Sequence, residues 1–196
     1  MVSFGAFRDR FSVLPAEELE RQFVESWGRT SERFAKLEVA PVYIEQGSDS
    51  FELFAAGEFS AARASVKKTV LQQRELFEDL QARGGSIVRL RVVGVPLTSY
   101  IADYERVVYD TTSVIGEHTS IIDESSLTAE ELALTQDFLC FDQRELIVHD
   151  YSPWGRLREV WWTDDPEVVA LAIGVFDALL AKSVPAAEWP WPPPQL

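Results

Sequence analysis

The chain has 196 residues, 46% apolar and 12% aromatic, which excludes a disordered polypeptide and suits one domain burying roughly 70% of its unfolded surface. A formal net charge of −14 repels phosphate backbones, and the longest basic run, Lys67-Lys68, is too short to offset it, so direct nucleic-acid binding is not expected. Cys140 is the one cysteine, which excludes an intramolecular disulfide. No apolar run approaches the ~20 residues of a membrane span, and MVSFGAFRDRF lacks a signal-peptide core; a cytoplasmic protein with no membrane partner is expected.

Residues 15–36, PAEELERQFVESWGRTSERFAK, read as a helix opened by Pro15, with Glu17 and Glu18 in its first turn and a break at Gly28. VAPVYI, residues 39–44, reads as a short edge strand because Pro41 cannot donate to a ladder. Residues 61–83 form a helix with Val66, Val70, Phe77 and Leu80 on one side, ended by Gly84-Gly85. SIVRLRVV, residues 86–93, is a strand with Ile87, Arg89, Arg91 and Val93 on one face and Ser86, Val88, Leu90 and Val92 on the other. After the turn Gly94-Val95-Pro96, Thr98 or Ser99 caps a helix to about Val114, with Tyr100, Tyr104, Val107 and Val108 packing inward.

HTSIID, residues 118–123, is a weakly patterned strand, and Thr128-Ala129-Glu130-Glu131 is a capping box opening a short helix. DFLCFD and ELIVHDY, residues 137–142 and 145–151, have hairpin spacing, though Gln143-Arg144 lacks the usual glycine. Gly155 marks a turn before a third strand, RLREVWW. Asp165 and Pro166 then cap and open a final helix with an apolar stripe from Val168 to Leu179, and VPAAEWPWPPPQL reads as an extended, polyproline-like tail. This order predicts a mixed α/β (α+β) single domain, a central mixed sheet with an antiparallel C-terminal run flanked by helices. Residues 1–29 are expected to be a helical extension, 30–185 the domain and 186–196 the tail.

Two histidines, no G-x-S-x-G elbow, no glycine-rich phosphate loop and no Cys/His cluster argue against a triad, a nucleotide site or a metal site; no cofactor is expected. Arg89 and Arg91 share a strand face, with Asp103 and Glu105 just downstream. Salt bridges tying helix to sheet explain that arrangement most simply, and an anion- or partner-binding site at the strand end is the functional alternative. His118 follows Glu117 and reads equally as a pH switch or a loop histidine, and Tyr100 is a further candidate in this stretch. His149 and Asp150 point to opposite strand faces and cannot form a dyad, and Cys140 reads as buried and inert. Trp189 and Trp191 either fold back on the domain or form a rigid arm for a partner's groove.

The blocks RLRVVGVPLTSYIADYE, IGEHTSII, DFLCFDQRELIVHDYSPWGRL, TDDPEVV and SVPAAEW, with RFAKLEV and the F-x-x-G of LFAAGE upstream, resemble an actinobacterial family of unknown function over residues 30–189. Thr98-Ser99 stands where that family has Ser-Asp, and Cys140 stands near its second aromatic. The resemblance implies a gene beside an Xre-like helix-turn-helix regulator. The later blocks are also similar to non-catalytic phospholipase D-like domains. Their catalytic relatives use H-x-K-x(4)-D, but here His118 precedes Thr119-Ser120 and His149 precedes Asp150-Tyr151, so the fold is implied without the phosphodiesterase chemistry.

The expected function is a non-enzymatic regulatory partner or ligand-sensing protein working with that regulator. The alternatives are a hydrolase or nuclease-like toxin with a carboxylate/arginine site, and a homodimeric structural protein. Arg89, Arg91, Tyr100, Asp103, Glu105, Glu117, His118, Trp189 and Trp191 are the candidate binding residues.

Overall fold

The computed structural model describes residues 4–193; the first three residues of the expected extension and the last three of the expected tail lie outside the described residues. Eight strands form one sheet: β1 (Ser12–Leu14), β2 (Arg33–Glu38), β3 (Ser86–Val93), β4 (Glu117–Asp123), β5 (Phe138–Phe141), β6 (Glu145–Tyr151), β7 (Leu157–Thr163) and β8 (Val184–Pro185). Their order is β1-β7-β6-β5-β2-β3-β4-β8. β2, β3 and β4 run parallel, and every other pairing is antiparallel. With seven α-helices among the described residues, this is the expected single-domain mixed α/β architecture. None of those helices is long and apolar enough to cross a membrane.

The two sheet faces follow from the alternation of side chains along each strand. Leu37, Leu90, Val92, Ile122, Phe138, Cys140, Leu146 and Val148 face one side. That side is covered by α7 (Pro166–Leu180), whose stripe Val168, Ala172, Ile173, Phe176 and Leu179 is buried, and by Phe4 from an N-terminal 3₁₀ turn. Asp165 caps α7, with its carboxylate accepting from the backbone N–H of Glu167 and Val168. The other face is covered by α1 (Ala16–Arg29), α3 (Phe59–Leu71), α4 (Arg74–Ala82) and α5 (Arg106–Val114), and its core includes Trp27, Phe34, Val66, Phe77, Leu80, Ile87, Tyr109 and Ile147.

Several local expectations need correction. The helix predicted over 15–36 stops at Arg29, and Arg33–Glu38 is the strand at the sheet's centre. Gly28 stays inside the helix and Pro15 sits just before it, not at its first position. Two remote segments override the local pattern here: β3 and β5 pair with β2 on either side. The Asp142 carboxylate then holds the chain reversal, accepting the backbone N–H groups of Ser31, Glu32 and Arg33 at 2.8, 2.7 and 2.8 Å. VAPVYI is therefore not an edge strand but the segment that leaves β2.

The helix predicted over 61–83 is two helices separated at Gln72-Gln73, although their apolar stripes continue in phase across the break. The helix predicted after Pro96 begins as a π-helical turn, Tyr100–Glu105, before α5 takes over. The hairpin between β5 and β6 manages without glycine because Asp142 and Gln143 both adopt left-handed backbone, with φ of 51° and 58°. In the expected tail, β8 pairs with β4, and Trp189 and Trp191 pack on the core, so its described part is docked rather than a free arm.

Candidate functional site

The site grows out of the parallel strands. On β2, Lys36 and Glu38 alternate with Ala35 and Leu37, so both charged side chains leave on the helix-covered face. In register beside them, β3 presents Arg89 opposite Lys36 and Arg91 opposite Glu38. Glu117 and Thr119 arrive from β4, and His149 and Tyr151 from β6.

Charged groups buried this way must find partners. Arg89 Nη1 donates to Glu38 Oε1 at 2.9 Å and its Nε to Glu117 Oε1 at 3.1 Å, while Lys36 Nζ lies 2.7 Å from the same Glu38 oxygen. Arg91, fully buried, donates to the Tyr43 hydroxyl at 2.9 Å and to the Ala40 carbonyl; Tyr43 in turn donates to Asp137. The expected helix-to-sheet bridges are corrected on this point. The arginines are tied across neighbouring strands and to the loop after β2, while Asp103 pairs with Arg63 of α3 at 3.3 Å.

A second network lies across from the first. The π-helical turn stacks Tyr100 on Tyr104, with centroids 5.2 Å apart, and all six of its residues are buried. The Tyr100 hydroxyl lies 2.8 Å from Oε1 of both Glu45 and Glu105. Tyr104 reaches Glu45 Oε2 at 3.2 Å and Ser50 Oγ at 2.8 Å. One phenol has one proton to give, so two carboxyl contacts at this distance require a proton on one of the acids. Glu105 is the group suited to hold it: burial, then the negative charge of Glu38, raises its pKa.

Between the two networks lies a cavity of about 390 Å³, within the usual size of a small-molecule site. Lys36, Glu38, Arg89, Tyr43, Glu45, Tyr104, Glu105, Asp137, His149 and Tyr151 all reach its wall. Burial opposes ionisation of Glu38, but Arg89, Lys36 and Arg91 together hold it below the usual carboxylate range. Burial raises Asp137. Burial and the Lys36 charge push His149 down to about 4, so its imidazole is neutral at pH 7. Four buried polar atoms of the neighbourhood have no hydrogen-bond partner: Arg91 Nε, Glu105 Oε2, Glu117 Oε2 and Thr119 Oγ1. No group of His, Cys, Asp and Glu among the described residues could hold a metal ion.

Of the sequence-predicted residues, Arg89, Glu105, Arg91, Tyr100 and Glu117 come together here. His118 alternates with Glu117 and Thr119 along β4, so it faces away from the cavity and is exposed. Trp189 and Trp191 lie elsewhere on the same helical layer. Trp191 Nε1 donates to the Ala186 carbonyl at 2.8 Å, its ring lies 6.2 Å from Tyr109, and Arg106 sits 5.5 Å over it. Sequence reasoning missed Lys36, Glu38, Tyr43, Glu45, Asp137, His149 and Tyr151. The alternation K-x-E in RFAKLE was the available signal for the first two, and it was hidden by running the predicted helix on to Lys36.

No curated protein matches the chain. Among solved structures, TrmBL2, an archaeal chromatin protein with a described mode of DNA binding, is similar at 11% identity and a TM-score of 0.48. That match covers 89% of this chain and 53% of TrmBL2, so the chain spans about half of that protein's length. A phospholipase D family member, Nuc from Salmonella typhimurium, is similar at 8% identity and a TM-score of 0.48, covering 89% of this chain and 97% of that one. The model of a family described as a domain of unknown function (DUF6879) matches residues 21–190, from within α1 to the docked tail, and the chain belongs to that family.

Proposed function

We propose that this protein is a non-enzymatic, cytoplasmic ligand-sensing module, in which a small polar molecule occupies the cavity between sheet and helices and alters contact with a partner regulator. The observation that carries this reading is the pairing of an open cavity with a buried, unpartnered polar atom on one of its lining residues, Glu105 Oε2. Burying such an atom without a partner costs about 1–3 kcal/mol, and a bound molecule offering a hydrogen-bond donor would remove that penalty. The cavity wall includes the π-helical turn that leads directly into α5, and α5 carries Tyr109 and Arg106 against the docked Trp191. A ligand that moves Glu105 therefore has a short mechanical route to the surface formed by the tail. An Xre-like helix-turn-helix protein encoded alongside is the partner implied by the sequence resemblance, and the net charge of −14 suits a basic face on it.

The reading is tested by adding a small-molecule extract of the source cells to the purified protein and following thermal unfolding, then identifying what remains bound by mass spectrometry. A raised midpoint with one retained compound supports it; no shift and no retained compound sinks it. A pull-down with the regulator, with and without residues 186–196, tests the second half. Loss of the complex on tail removal is the expected result.

A hydrolytic reading is favoured by one observation: Glu38, held ionised, and Glu105, whose ionisation burial opposes, share the cavity with a neutral histidine. Turnover of a nitrophenyl phosphodiester or ester by the purified protein, abolished by Glu105→Gln, would favour it over sensing.

A further inference from the structure

We propose that the cavity takes a small zwitterion of the α-amino-acid class, its carboxylate on Lys36 and Arg89 and its ammonium against Glu105 and Glu45. This rests on the ligand-binding reading above and names the class of ligand.

The argument comes from which atoms each network leaves over. On the sheet side Lys36 and Arg89 bring spare donors to the cavity wall, which Glu117 and Thr119 do not reach. Lys36 Nζ uses one of its three protons on Glu38, and it is only about a third exposed. Arg89 satisfies Glu38 and Glu117 through Nη1 and Nε, and its Nη2 makes no hydrogen bond within the described residues. Lys36 and Arg89 are register partners on adjacent parallel strands, so their free donors project side by side from one patch of the cavity wall. Two converging cationic donors match the two oxygens of one carboxylate.

On the helical side the spare groups are acceptors. Glu105 Oε1 is engaged by Tyr100, but Oε2 has no partner although the residue is only 5% exposed. Glu45, which meets the Tyr100 and Tyr104 hydroxyls, lies on the same wall, with the rings of Tyr43, Tyr104 and Tyr151 beside it. Carboxyl oxygens framed by tyrosine rings form a site for an ammonium group.

Charge then selects the class. A simple anion placed on Lys36 and Arg89 would sit beside Glu38, which is ion-paired to both, in a cavity that Glu45 and Asp137 also line. A simple cation among the tyrosines would face Lys36 and Arg89, with Arg91 already 5.3 Å over the Tyr43 ring. A molecule carrying both charges a few ångströms apart meets each network with the opposite sign, and the cavity volume leaves room for a side chain.

The test is calorimetry and thermal unfolding with each proteinogenic α-amino acid at millimolar concentration, with acetate and methylammonium as single-charge controls and the cell extract in parallel. At least one amino acid is expected to bind and raise the unfolding midpoint, while neither control does. Lys36→Met and Glu105→Leu should each weaken that binding by about tenfold or more, and Glu105→Gln, which keeps a carbonyl acceptor, should retain it. Circular dichroism of the unliganded variants checks that they fold. Binding that persists in both Lys36→Met and Glu105→Leu overturns the assignment, as does acetate binding equally well. If the extract shifts unfolding and no amino acid does, the zwitterion assignment falls and the ligand cavity stands. If neither does, both fall.

Discussion

Arg89 and Glu38 form a 2.9 Å ion pair between neighbouring parallel strands, each with its side chain almost wholly removed from solvent. Taking both charges out of water costs several kcal/mol, and Lys36 on Glu38 and Glu117 on Arg89 offset part of it. Removing one partner leaves the other buried and uncompensated. Glu38→Leu and Arg89→Leu are each expected to lower stability by about 3–5 kcal/mol, and the double replacement by less than the sum. Urea unfolding of the four proteins decides it; additive effects would show that the two side chains act independently.

The pH dependence has two opposite parts. His149 has a folded pKa of about 4 against an ordinary value of 6.5, so the unfolded chain binds more protons in that window and stability falls as pH drops through it. The effect has an upper limit of about 3 kcal/mol. Glu38, held below its ordinary value, continues the loss at lower pH. Unfolding measured from pH 7 to 4 should show this slope in the parent, and His149→Gln should flatten it.

Glu105 has the reverse sign. Its folded pKa is raised, so its contribution is fully present below the ordinary glutamate value and is lost as pH rises. Glu105→Gln copies the protonated form and should therefore be more stable than the parent at pH 7 and above, with the difference vanishing near pH 4. A destabilised Glu105→Gln protein at pH 8 would show that the buried carboxyl is ionised and needed.

Asp142 is the clamp that turns α1 into β2. Asp142→Ala strands the three backbone N–H groups of residues 31–33 and places alanine at positive φ, for an expected loss of about 3 kcal/mol or more. Hydrogen exchange should locate the loosening at residues 30–33 and in the β5–β6 turn. Protection unchanged there would mean that other contacts hold the reversal.

Trp191 is half-buried, its ring tilted 36° to that of Tyr109 at 6.2 Å, with Arg106 5.5 Å over it. Trp191→Ala should cost about 1–2 kcal/mol by lost area and ring contacts, and make 186–193 susceptible to limited proteolysis. Equal cleavage rates in parent and variant would show that the tail is not held by this ring.

The elements most legible in the sequence were those decided locally. Asp165-Pro166 and the Thr128 capping box open helices wherever they stand, because the orphan N–H groups are satisfied within a few residues. The period of two in SIVRLRVV likewise put Arg89 and Arg91 on one face. Tyr100 and Glu105 were legible only as neighbours of that strand, and their shared proton contact with Glu45 was not, since it depends on a π-helical turn meeting a loop more than fifty residues away.

The sequence alone determined the alternation, the caps and the charge of the strand at Arg89, because those depend on bonds and spacings within a few residues. Tertiary structure decided that RFAKLE is a central strand, and so brought Glu38 beside Arg89, because a segment of mixed propensity takes the conformation that two flanking strands can hydrogen-bond. It also decided which partners the buried charges found, since desolvation is set by the whole fold and no local pattern reports it.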